Sequence, residues 1–166
     1  EVTQSTADTG GEYFEAVNVL APEFAGPPLH VHPTAEEIYQ VVTGALDVCV
    51  DGQWRKLQAD ESVTVPPGTA HTLKNDSGAE VRLINVHRPA QKFEQFFREL
   101  HSLSATGRVT FPPKGLRSAI LLSMLFAKYP QEVVSVKPPR WLMTILAGFG
   151  RILSFKLPAD ESFSQR

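Results

Sequence analysis

Cys49 is the only cysteine in 166 residues, so no internal disulfide can form and a zinc knuckle built on cysteines is excluded. Nothing near it in sequence suggests an activated thiolate, and it reads as a small buried filler. Such cysteine usage suits a reducing compartment, and a cytoplasmic protein is expected. An excess of either charge is also missing. Sixteen Lys and Arg against 18 Asp and Glu leave a net charge of -2, and no basic tract of the kind that tracks a phosphate backbone occurs, so no nucleic-acid partner is expected. A helix-turn-helix signature is absent too.

Long apolar runs are lacking as well. The longest, residues 141–155, is interrupted by Thr144, Gly148, Gly150 and Arg151, short of the roughly 20 residues a membrane-spanning helix needs. It reads as a packed helix and no membrane partner is expected, although Arg140 and Lys156 flank it as they would an interfacial helix. Residues 1–18 are polar and acidic without the apolar centre of a secretory signal. The start at Glu1 rather than Met is read as trimming, compatible with a removed leader.

What is present falls into two halves. From residue 13 to 88, short β-rich runs alternate with turn residues. Val17, Val19 and Ala21 alternate with other residues; Gly26, Pro27 and Pro28 then break the chain before Leu29. Further runs cover 37–43, 45–50, 53–57, 62–65, 71–75 and 80–87. Asp51-Gly52 between two of them predicts a hairpin, because both positions tolerate positive φ. Many short strands at close spacing predict an antiparallel sandwich or barrel. After Pro89 the period changes: Phe93, Phe96, Phe97 and Leu100 repeat as on one helix face. Apolar segments over 116–126 and 141–155 predict two more helices, bounded by Pro112-Pro113, Pro130 and Pro138-Pro139. The expected division is a β-barrel domain over 1–98 and a helical extension over 99–166 that packs on the barrel or across a homodimer.

His30, His32 and His71 are three of five histidines. In a strand, positions i and i+2 share a face, so His30 and His32 converge while Val31 points away. Glu37 opens the next strand across a tight loop containing Pro33, which can return a carboxylate to the two imidazoles. Three imidazole nitrogens and one carboxylate oxygen suit a divalent Fe, Mn, Co, Ni, Cu or Zn ion. Glu36 is the neighbouring carboxylate. Tyr39 and Val41 share the parity of Glu37, and Leu73 and Asn75 that of His71, which places all four near the barrel interior; Tyr39 is the candidate to orient a substrate by its hydroxyl. Phe24 is expected at the mouth. His87 joins the candidate pocket residues, with a solvent-facing position the commoner outcome for a strand end. His101 reads as solvated.

Gly26, Pro28-Leu29-His30-Val31-His32, Glu37 and Gly44 resemble the first motif of the cupin superfamily, and the segment from Pro66-Pro67-Gly68 through His71 to Asn75 resembles the second. Gly26 stands three residues before His30 where the stricter pattern has five, and Asp60 takes the place of the second motif's first Gly. The resemblance covers roughly residues 13–98. It implies a double-stranded β-helix, or jelly-roll, barrel with the C-terminal helices appended. It also implies one divalent metal ion on His30, His32, Glu37 and His71, and a small-molecule substrate. The leading expectation is a metal-dependent oxidoreductase of the dioxygenase type, similar to quercetinase-like cupins. A metal-dependent isomerase or decarboxylase and a non-catalytic binding module stand beside it, since this fold hosts all of them.

Overall fold

The computed structural model describes residues 1–158. In chain order the elements are β1 (Val2–Gln4), β2 (Phe14–Leu20), β3 (Leu29–Val31), β4 (Glu36–Thr43), β5 (Leu46–Val50), β6 (Gln53–Leu57), β7 (Ser62–Val65), β8 (His71–Lys74), β9 (Val81–Arg88), α1 (Phe93–Ala105), α2 (Gly115–Lys128), β10 (Val134–Lys137) and α3 (Arg140–Ile152). The strands form two antiparallel five-stranded sheets, ordered β1-β2-β9-β4-β7 and β10-β3-β8-β5-β6. This is the expected jelly-roll barrel with a C-terminal extension.

Alternation along each strand decides what faces inward. On β4, Glu37, Tyr39 and Val41 are buried while Gln40 and Val42 are exposed; on β9, Val81, Leu83, Asn85 and His87 are buried. Leu46, Val48, Leu57, Val65 and Leu83 pack together in the barrel core. The β5–β6 hairpin turns at Asp51 and Gly52, with φ of 49° and 77°, the pair of positive values that a two-residue turn matching strand twist requires. Asp60, standing where the second motif has glycine, also takes a positive φ, 68°. Asp is one of the few side chains that visit this region readily.

The extension builds a second core. Phe96 and Leu103 of α1, Leu121, Leu122 and Leu125 of α2 and Met143 of α3 are buried together. Glu99 of α1 ties this layer to α2 by accepting hydrogen bonds from the Tyr129 hydroxyl at 2.7 Å and from Lys128 Nζ. The extension is not purely helical, contrary to the expectation from its apolar periods. Residues 134–137 form β10, which pairs with β3 and so extends the sheet that carries His30. Four residues between prolines are too short to show a period, and the pairing that stabilises them lies about a hundred residues away in sequence. The edge strand β1, three residues long, is equally invisible to periodicity.

Gly26 locks the entrance to the first motif. Its φ is +83°, and a Cβ there would stand 1.7 Å from the Leu73 carbonyl oxygen on β8. At Gly52, φ is +77° but a Cβ would meet no atom within 4 Å. Gly52→Ala should therefore cost only the left-handed backbone penalty, about 1–2 kcal/mol. Gly26→Ala must displace backbone as well and should cost clearly more. Urea unfolding of the two variants checks the ranking; equal midpoints would contradict it.

Candidate metal centre

Three segments meet at one point inside the barrel. His30 sits on β3 directly opposite His71 of β8; His32 follows β3, and Glu37 lies near the start of β4. One ligand atom from each of His30, His32, Glu37 and His71 falls within 4.8 Å of all the others, and all four residues are buried. Glu36, one residue away, points toward the surface, where it lies 4.0 Å from Arg88.

The outer nitrogen of each imidazole is held by a backbone carbonyl. His30 Nδ1 bonds Pro28 O at 2.8 Å, His71 Nδ1 bonds Thr69 O at 2.8 Å, and His32 Nδ1 bonds Glu132 O at 2.5 Å. A carbonyl can only accept, so each Nδ1 must carry the proton. In the neutral rings Nε2 is then a bare lone pair aimed inward. These lone pairs meet a carboxylate: Glu37 Oε2 lies 3.1 Å from His32 Nε2 and 2.7 Å from His71 Nε2. His71 Nε2 is buried without a hydrogen-bond partner despite that distance. With all three rings neutral, these four acceptors converging in a low dielectric repel unless a metal ion, or at lower pH a proton on His71 Nε2, lies among them. The donor set therefore fits a divalent transition metal, and the three carbonyls are the outer partners that fix ring tautomer in such sites.

Glu37 is itself oriented from both sides. The Tyr39 hydroxyl donates to Oε2 at 2.6 Å and Asn85 Nδ2 to Oε1 at 2.9 Å. His87 Nε2 lies 3.1 Å from Oε1. Burial pushes the Glu37 pKa upward, but the His87 and His32 imidazoles outweigh it and hold the group well below the usual carboxylate range. Burial, reinforced by the charge of Glu37, raises the Tyr39 phenol well above its ordinary value. Burial first, and then the neighbouring His71 and His32, push the His30 pKa well below its ordinary value. For His71 burial is overcome by the adjacent Glu37 carboxylate, and its pKa is raised.

The expected pocket residues divide. A cavity of about 730 Å³ opens from this cluster and is lined by Phe24, Tyr39 and Leu73. Val41 is taken up in the barrel core. Asn75 is a structural clamp, its amide donating to the carbonyls of Leu20, Ala21 and Ala79. His87 is not solvent-facing: it is wholly buried behind Glu37, stacked on Phe93 at 4.0 Å between ring centroids, and burial lowers its pKa to about 4. The helix start that covers it lies beyond the strand and could not be placed from strand parity alone. His101 is exposed yet borders the cavity. Sequence reasoning missed Asn85 and Glu132. Asn85 shares the parity of His87 on β9 and was within reach of that argument, whereas a backbone carbonyl leaves no residue signature. The cavity wall is mostly apolar and includes Phe14, Phe24, Phe96, Phe97, Phe111 and Phe126.

Two outcomes follow for metal affinity. Tyr39→Phe keeps the ring and removes the hydroxyl that orients Glu37, so the apparent affinity for zinc or manganese should fall about 10–100-fold. Competition with a chromophoric chelator measures this, and an unchanged constant would show that the hydroxyl does not hold the carboxylate. A cation must also displace the proton that His71 retains below its raised pKa. Affinity should therefore drop about tenfold per pH unit below that pKa and level off above it; a constant that stays pH-independent below 6.5, the ordinary imidazole value, would contradict the assignment.

Residues 17–87 match the family model described as a cupin domain. A curated relative, polyketide synthase CurC of Streptomyces cyaneus, is 36% identical over 55 residues, covering 33% of this chain and 36% of the relative. The match thus spans about a third of that protein's length. Among solved structures, an uncharacterised double-stranded β-helix protein from Klebsiella pneumoniae is 21% identical, with 55% of this chain and 76% of that chain covered and a TM-score of 0.48. KdgF from Halomonas sp. is 19% identical, with 57% and 80% covered and a TM-score of 0.49. Among the described residues no helix is long and apolar enough to cross a membrane. With both motifs folded into one buried cluster at the centre of an antiparallel double sheet, residues 17–87 match a cupin domain in motif residues and in strand arrangement.

Proposed function

We propose that this chain is a metal-dependent oxidoreductase of the dioxygenase type, acting on an apolar small molecule that carries oxygen donors. The observation that carries this reading is the cavity. It joins an apolar wall that includes six phenylalanines to His30, His32 and Glu37, and its volume is in the range of small-ligand sites. A redox-active ion on the four-residue set, when bound, supplies the means to bring dioxygen and an electron-rich ligand together. The chain's own contribution is to bind and to keep water away: the phenylalanines favour a flat apolar body, and the inner end of the cavity offers polar partners to an oxygen-bearing end. Phenols and diketones have this form. The local likeness to a polyketide synthase points the same way.

An isomerase or decarboxylase needs a side chain ready to exchange a proton with the substrate. At the inner end of the cavity, the Tyr39 hydroxyl is engaged with Glu37 and the Asn85 amide does not titrate. His101 borders the cavity but lies outside the buried cluster, and the lack of a free acid or base at the inner end favours non-catalytic binding as the second reading.

The test begins with elemental analysis of protein prepared without a His tag. One divalent ion per chain is expected, and its loss in a His30→Ala, His71→Ala double variant; equal metal content in both would remove the metal assignment. An oxygen-electrode screen of phenols and diketones follows. Oxygen consumption by the parent and not by the double variant supports the oxidoreductase. Tight ligand binding without oxygen uptake assigns the chain to the binding class instead.

A further inference from the structure

The helix α3 is apolar on two opposite faces, and the second core uses only one. Met143, Ala147 and Gly150 are buried against α2. At about 100° per residue, Trp141, Ile145, Phe149 and Ile152 fall on the opposite side, and Leu153 follows at the helix end. All five are exposed, Trp141 at 64% and Ile152 at 78%. Five large apolar side chains on one helix flank form a contiguous patch of the kind that marks an interaction site.

Charge decides what fits it. Between positions 114 and 157 the sequence holds seven Lys and Arg and one acidic residue, Glu132, in a chain whose net charge is -2. Glu132 is buried, and Lys128 is paired with Glu99. Arg140 and Arg151 lie along one edge of α3, and Lys137 and Lys156 stand beyond its two ends; all four are exposed. Among the described residues none of these four forms an ion pair. Neither α2 nor α3 contains an acidic residue. A two-fold contact with a second copy would set this cationic rim against its own counterpart, which is repulsive. A surface that is apolar in depth and anionic at its boundary satisfies both features at once.

We propose that the outer face of α3 docks on an anionic lipid surface, with Trp141, Ile145, Phe149, Ile152 and Leu153 entering the headgroup boundary and Arg140, Arg151, Lys137 and Lys156 meeting lipid phosphates and carboxylates. The helix lies in the plane of the surface and does not span it; its 13 residues are too few to cross a bilayer, which takes roughly 20.

The full chain tests this with phosphatidylcholine vesicles prepared with and without phosphatidylserine. Co-sedimentation is expected with the phosphatidylserine vesicles, weaker by about tenfold or more with phosphatidylcholine alone, and falling as salt is raised. In a Trp54→Phe background Trp141 is the sole tryptophan, and its emission should shift to the blue and be quenched by shallow-labelled lipid. The pair Ile145→Ser and Phe149→Ser, on exposed positions, should abolish binding while leaving the unfolding midpoint in place; Arg140→Glu with Arg151→Glu should remove the preference for phosphatidylserine. No co-sedimentation with phosphatidylserine vesicles at low salt, or equal binding to both lipids, overturns the proposal. So does sedimentation velocity showing a dimer that Ile145→Ser and Phe149→Ser dissociate, which would assign this face to a second copy.

Discussion

The arrangement everything else serves is a set of electron pairs pointed at each other. Three imidazole Nε2 atoms and one carboxylate converge in a space shielded from water, and backbone carbonyls behind His30, His32 and His71 prevent the rings from relieving the conflict by moving the proton to the inner nitrogen. In a low-dielectric interior such an arrangement is costly when empty of positive charge, and that cost is what makes it selective for a cation. The barrel holds the four donors because each sits on, or just beyond, a strand paired with its neighbours.

The C-terminal extension is part of this device. The carbonyl of Glu132 fixes the tautomer of His32, and the Glu132 carboxylate accepts from the Lys92 backbone N–H at 3.2 Å, tying the start of α1 to the same segment. β10 continues the sheet beside β3, and Phe111 and Phe126 help close the cavity. The helices thus shape both the cluster and the space above it, and Phe93, packed edge-on to His32 and stacked on His87, joins the two layers.

Much of the barrel was legible because its signals are local. Parity alone put His30 with His32, Glu37 with Tyr39, and His71 with Leu73 on inward faces, and the Asp51-Gly52 turn announced its hairpin. The same parity argument placed Val41 and Asn75 inside, which is where they are. It could not say that one belongs to the core and the other to a knot of carbonyls, because facing inward does not specify which part of the interior a side chain reaches. His87 shows the limit most clearly. A strand end next to a proline has no inherent cover, and the arrival of Phe93 and Phe97 on α1 buries it.

Donor types, their strand faces and the turns between them could be read along the chain, since they depend on residues two to six positions apart. The tertiary structure alone decided which nitrogen of each ring is protonated, how Glu37 is gripped by Tyr39 and Asn85, and that residues 134–137 become a strand of the barrel. Those features rest on contacts between segments up to a hundred residues apart, several of them made by backbone carbonyls. A carbonyl is the same on every residue, so no side-chain pattern records where it will be used.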